Sequence, residues 1–178
     1  ELDRAVELSV FEDAFALSKR GDVKRLLGRH AEAMEDLDKA LLLSPDDAFT
    51  LASRGNVRGV LRQHQEALAD LTKALERIPN DTFALVSRSG VKSMLSLHQE
   101  ALADLNIALA LNPDDAFALG RRGDVRHLLG QEELALADLD RALQLRPDDS
   151  FALASRGDVK RLLGLHKEAV KDLDAAVD

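Results

Sequence analysis

The chain has 178 residues, 46% of them hydrophobic, with a formal net charge of −8 and no Cys, Trp or Tyr. That length and apolar content allow a packed core, and only four Pro and ten Gly exclude a disordered or collagen-like chain. The acidic balance argues against a nucleic-acid partner, the lack of Cys removes disulfides and thiolate metal sites, and no apolar run approaches the roughly 18 residues of a membrane span.

Few aromatics and few β-branched runs point to an all-helical fold, because strands fill their pleated faces with those residues. The chain opens at Glu1 with neither a charged n-region nor an apolar h-region, so no signal peptide is expected. Together with the missing Cys this favours an intracellular setting, and the abrupt start suggests a fragment of a longer protein.

Pro45, Pro79, Pro113 and Pro147 recur every 34 residues, and such a period is the mark of a repeat array. One array over 1–178 is expected, with repeats at 14–47, 48–81, 82–115 and 116–149 and a last one at 150–178. Residues 1–13 read as the second helix of a truncated repeat, because Leu2, Ala5 and Leu8 match Leu37, Ala40 and Leu43. Place 1 of each repeat is Ala14, Ala48, Thr82, Ala116 or Ser150.

Each repeat carries two apolar sets at helical spacing, places 3, 4, 10, 13 and 14 and then places 20, 21, 24, 27 and 28. Between them place 15 holds Gly28, Gly130 and Gly164, which can end a helix in the left-handed conformation. Arg62 and Ser96 stand there in repeats two and three, so those turns should be strained by about 1 kcal/mol each or differently shaped. The Pro-Asp-Asp that closes a repeat, as in Pro45-Asp46-Asp47, stops the second helix and supplies an N-cap for the next.

Gly at place 8 (Gly21, Gly55, Gly123, Gly157), Ala at place 20 (Ala33, Ala67, Ala101, Ala135, Ala169), Ala at place 27 (Ala40, Ala74, Ala108, Ala142, Ala176) and Pro at place 32 make the chain resemble the tetratricopeptide repeat (TPR) family along its whole length. The 35-residue, RNA-reading pentatricopeptide repeats fit less well. The TPR resemblance implies a right-handed superhelical solenoid of antiparallel helix pairs, whose first helices line a concave groove that receives a peptide.

Where that family often carries large residues, this chain has bases. Places 7 and 11 hold an Arg and a Lys or Arg in every repeat. Place 7 lies opposite place 23, an invariant Asp along the chain, and the expected ladder is Arg20 with Asp36, Arg54 with Asp70, Arg88 with Asp104, Arg122 with Asp138 and Arg156 with Asp172. Place 11 lies opposite the Glu at place 19, so Lys24 is expected to pair with Glu32. Breaking a buried pair costs roughly 3 to 5 kcal/mol against about 0 to 1 for an exposed one, so Asp104→Ala should destabilise far more than Asp114→Ala.

No catalytic constellation emerges. His30, His64, His98 and His166 fall at place 17 of successive repeats, and helices packed about 8 to 10 Å apart hold them too far from one another to share a zinc. There is no phosphate loop and no His-Glu-x-x-His motif, so neither a cofactor nor a metal is expected.

At 100° per residue, places 2, 9, 13 and 16 of the first helix share a face. It holds Phe15, Phe49, Phe83, Phe117 and Phe151, then Asp22, Asn56, Asp124 and Asp158, with Arg25, His127 and Arg161 along one edge. Half-exposed, the five rings would present on the order of 500 Å² of apolar stripe, enough to mark an interaction site. Packed down on the small residues of place 5, they would instead tighten contacts between repeats. The residues at places 2, 5, 6 and 9 do not reproduce the carboxylate clamp by which some family members hold chaperone tails.

The expected function is a non-enzymatic scaffold that binds a protein or peptide segment along this face, with no nucleic acid and no membrane as partner. The alternative is a structural or oligomerising module that self-associates through open solenoid ends.

Overall fold

The structure, a computed structural model, describes residues 2–177, with side chains from residue 13 onward. Among the described residues there are ten helices and no strand: α1 Leu2–Leu26, α2 His30–Leu43, α3 Ala48–Val60, α4 His64–Arg77, α5 Thr82–Met94, α6 His98–Leu111, α7 Ala116–Leu128, α8 Glu132–Leu145, α9 Ser150–Leu162 and α10 His166–Val177. No helix is long and apolar enough to cross a membrane. Two compact units make up the chain, residues 1–91 and 92–178, called here the N-terminal and C-terminal halves.

The expected separate helix over 1–13 needs correction, because α1 runs unbroken through Asp13 into the first full repeat. Later repeats enter their first helix from a proline; Val10-Phe11-Glu12-Asp13 has none, and without a ring that blocks the backbone hydrogen bond nothing stops the helix there.

Elsewhere the helix ends follow their local chemistry. Asp47, Asp81, Asp115 and Asp149 cap the helices that follow, accepting hydrogen bonds from the backbone N–H groups of Thr50, Ala84, Ala118 and Ala152 at 2.8, 3.1, 3.1 and 3.0 Å. At the other end, Gly28, Gly130 and Gly164 take φ of 71°, 70° and 78°, and Arg62 and Ser96 are forced to the same left-handed turn at 62° and 61°. The turn is the same in glycine and non-glycine repeats: Arg29 N–H reaches the Lys24 carbonyl and Gln63 N–H the Arg58 carbonyl, both at 2.9 Å, which satisfies carbonyls that the helix end would leave open.

Small residues set the distance between paired helices. A Cβ built on Gly55 would lie 2.6 Å from Leu71 Cγ and 3.2 Å from the Ala67 carbonyl oxygen, so only a glycine lets α3 approach α4 this closely. Leu71 and Ala67 are fully buried there, and Leu139 and Ala135 repeat the arrangement in the C-terminal half. In the N-terminal half Ala33, Leu37 and Val57 form one core cluster with Met34 packed on it, which ties the first repeat to the second.

Candidate binding face on the first helices

A repeated clasp fixes each first helix on its partner. Arg54 donates from Nε and Nη2 to both carboxylate oxygens of Asp70, each at 2.8 Å, while its Nη1 reaches back to Asp38 at 2.8 Å. One guanidinium therefore joins α3 to both α4 and α2. Arg156 does the same with Asp172 at 2.7 Å and Asp140 at 2.8 Å, and Arg122 with Asp138 at 2.8 Å and Asn106 at 3.1 Å. In the first repeat Arg20 grips Asp36 bidentately at 2.7 and 2.6 Å. Asp36, Asp70, Asp138 and Asp172 are buried, and the planar fork of Arg suits this two-point contact.

The second rung differs from expectation. Lys24 pairs with Asp36 at 2.7 Å and not with Glu32, which instead meets Arg29. Arg58 likewise joins Asp70, Arg126 joins Asp138 and Lys160 joins Asp172, all at 2.7 Å. Lys92 has Asp104 at 2.9 Å, with Glu100 further off at 3.7 Å. Places 7 and 11 are one helical turn apart, so one short, buried carboxylate between them serves both cations, whereas the glutamates at place 19 are longer and exposed. Hydrogen bonding from Arg20 holds the Asp36 carboxyl at about 2, against the opposing effect of burial. For Asp172 burial pushes the carboxyl up, and the bonds from Arg156 and Lys160 outweigh it to leave the group below its ordinary range.

On the opposite side of the first helices the phenylalanines are half open. Phe15, Phe117 and Phe151 are 56%, 45% and 37% exposed, and Phe49 and Phe83 are half-buried. They also pack down: Phe151 lies across Gly120 of the preceding repeat, 3.9 Å from where a Cβ would stand. The Phe151 ring thus touches the preceding repeat while more than a third of it stays exposed. Beside the rings, place 13 presents Leu26 and Val60 in the N-terminal half and Met94, Leu128 and Leu162 in the C-terminal half, each at least half exposed.

In the N-terminal half the polar residues of this face join neighbouring repeats. Asp22 accepts from Arg25 at 2.8 Å and from the Ser53 hydroxyl at 3.2 Å; Asn56 accepts from Arg25 at 3.4 Å and donates to Ser87 at 3.1 Å. In the C-terminal half burial pushes the Asp124 carboxyl up, opposed by the charges of Arg121 and His127, and His127 meets Glu132 at 2.8 Å. Asp158 and Arg161 stand in solvent 3.5 Å apart. In the N-terminal half Thr50, Ser18 and Asp47 make a small polar chain, with Thr50 Oγ1 2.6 Å from Ser18 Oγ, beside a cleft of about 80 Å³ whose walls include Phe15, Lys19 and Phe49.

Cations sit on the rings. Lys19 Nζ lies 3.7 Å from the Phe49 ring centre, the Arg25 guanidinium 4.9 Å from that of Phe83 and the Arg121 guanidinium 4.5 Å from that of Phe151. Lys19 and Arg121 escaped the reading of this face, although a sequence signal exists: each follows its Phe by four residues, the spacing at which helix side chains meet.

The histidines form no metal centre, and among the described residues no group of three His, Asp or Glu is placed to hold a metal ion. Each of His30, His64, His98 and His166 is the first residue of its helix.

A stack of two-helix hairpins, with glycine and alanine at the close approaches and a polar clasp in each, is a helical repeat solenoid. The tetratricopeptide repeat model matches residues 16–47 and 118–149, so two of the repeats carry that family's pattern. No curated protein matches it in sequence. Among solved structures it is similar to MamA, with TM-score 0.71 and 26% identity over 88% of this chain and 92% of that one. A thermophilic TPR protein of Thermus thermophilus has TM-score 0.80 and 23% identity over 92% and 90% of the two chains. YrrB, described as a TPR protein with an unusual peptide-binding site, has TM-score 0.69 and 24% identity over 94% and 86%.

Proposed function

We propose that the chain is a protein-interaction scaffold that takes an extended or helical segment of another protein on its first-helix face. The observation that carries this reading is the pair of apolar rows on that face, half-open phenylalanines at place 2 and more exposed aliphatics at place 13. Clustered exposed apolar side chains of this kind mark interaction sites. Phe15, Phe49 and Phe83, with Asp22, Asn56 and Arg25, form the binding surface of the N-terminal half. Phe117 and Phe151, with Asp124, Asp158 and Arg161, form that of the C-terminal half. The peptide-binding site named for YrrB makes the same use reasonable on this fold. The role proposed is binding and not catalysis.

Panning a displayed random-peptide library on the chain tests this. The pool enriched on the wild type should bind Phe15→Ala/Phe117→Ala about tenfold or more less tightly, as for aromatic anchors elsewhere, with far-UV circular dichroism unchanged. Undiminished capture by the variant would sink the reading.

The second reading, a self-associating module, draws on α10, where Val170 and Val177 are exposed. Sedimentation decides between them: a mass that rises with concentration, together with peptide capture indifferent to the phenylalanines, would favour self-association.

A further inference from the structure

Where a first helix turns into its second, places 13 and 14 carry an aliphatic pair in every repeat: Leu26-Leu27, Val60-Leu61, Met94-Leu95, Leu128-Leu129 and Leu162-Leu163. In the N-terminal half Leu26, Leu27, Val60 and Leu61 are 69%, 66%, 56% and 42% exposed. α1 and α3 pack against each other, and packed helices lie about 8 to 10 Å apart. The four side chains therefore make one apolar ledge along the turn edge of that half, and gathered, open apolar side chains mark interaction sites.

The residue that follows the second pair is Arg62. It takes φ of 62° where Gly28, Gly130 and Gly164 take 71°, 70° and 78°, a conformation that crowds the Cβ of an L residue against the next carbonyl oxygen. The turn itself does not need a side chain there. Gly28 N–H reaches the Arg25 carbonyl at 3.0 Å, and Arg62 N–H reaches the equivalent Gly59 carbonyl at 3.1 Å. Strained backbone of this kind gathers at functional positions. The charge is also unspent: among the described residues the exposed Arg62 side chain makes no ion pair and no hydrogen bond, and Glu66, four residues on, does not engage it. At the first turn, in contrast, Arg29 is held by Glu32.

We propose that this ledge and Arg62 are a docking site for an acidic amphipathic segment of another protein. Aliphatic side chains of the segment cover Leu26, Leu27, Val60 and Leu61, and a carboxylate on its flank pairs with Arg62, whose planar fork suits a two-point contact. The site carries the first-helix face round to the turn edge. It rests on that reading through Leu26 and Val60, while Leu27, Leu61 and Arg62 are its own.

Two amphipathic peptides with the same leucine stripe, one flanked by Glu and one by Lys, test this when titrated into the chain by calorimetry. The Glu-flanked peptide should bind more tightly, and its advantage should shrink as salt is raised. Arg62→Gly should weaken it about fivefold, the upper end for an exposed ion pair, and at the same time raise the melting temperature, whereas Arg62→Lys should keep most of the binding. Leu27→Ser/Leu61→Ser should weaken both peptides about tenfold or more with circular dichroism unchanged. No preference for the Glu-flanked peptide, or binding indifferent to these variants, would overturn the proposal. So would a melting temperature lowered by Arg62→Gly, which would make Arg62 a structural cation at the negative end of α3. Binding lost in Phe15→Ala/Phe117→Ala and kept in the edge variants leaves the first-helix face standing without its edge site; the converse leaves the edge site and removes the phenylalanines. Capture by vesicles containing anionic lipid in place of either peptide, or a dimer that Leu27→Ser/Leu61→Ser dissolves, would overturn it in favour of a membrane surface or a second copy.

Discussion

Replacing Asp70 by Ala removes the acceptor that Arg54 and Arg58 share. Three bonds are lost at once, two from Arg54 at 2.8 Å and one from Arg58 at 2.7 Å, and both guanidinium groups are left about four-fifths buried. Orphaning a buried charge costs roughly 3 to 5 kcal/mol, and because Asp38 still holds Arg54 the lower end, about 3 kcal/mol, applies. Asp114, in contrast, is an exposed carboxylate that meets Arg141 at 2.8 Å, and its removal should cost about 0 to 1 kcal/mol. Urea and thermal melts at neutral pH, followed by circular dichroism, measure the difference; about 3 kcal/mol corresponds to roughly 6 to 12 °C for a chain of this size. Asp70→Asn should fall between the two, since the amide oxygen still accepts. Equal shifts for Asp70→Ala and Asp114→Ala would refute the view that the clasp fastens the hairpins.

The clasp should also make stability depend on acid. Asp36 titrates at about 2 in the fold against about 3.9 in an unfolded chain, so its contribution is complete above about pH 5 and fades as pH falls toward 2; urea midpoints should decline over that range, and less steeply in Asp36→Asn. Arg62→Gly and Ser96→Gly place glycine at φ of 62° and 61°, and each should raise stability by about 1 kcal/mol in a denaturant titration. Gly55→Ala should destabilise by roughly 1 to 3 kcal/mol because its Cβ would meet Leu71 Cγ at 2.6 Å. Gly90→Ala, with nothing within 4 Å of the new Cβ in the middle of α5, should instead stabilise by about 0.5 to 1 kcal/mol.

Much of the fold was legible because the sequence states it several times over. The recurring Pro-Asp-Asp fixes where helices stop and start, and the glycine of place 15 or its substitute fixes the turn. The junction at Asp13 was not legible from that rule, because the rule depends on a proline and the first repeat has Phe11 in its stead. Helix opposition led correctly from Arg54 to Asp70, but it treated places as facing one another singly. It could not show that the next turn's cation, Arg58, would bend to the same carboxylate, since that depends on which acid is short and buried. The rings of the first-helix face were visible by register alone. Their cations were not, because the wedge of Lys19 between Phe15 and Phe49 is made by two repeats together.

Hydrogen–deuterium exchange, with and without the tightest peptide selected on the chain, tests the central claim most directly. Binding on the first-helix face predicts slowed exchange in α1, α3, α7 and α9 around their phenylalanines, with the second helices α4 and α8 unchanged. Protection confined to the second helices or to α10 would contradict it.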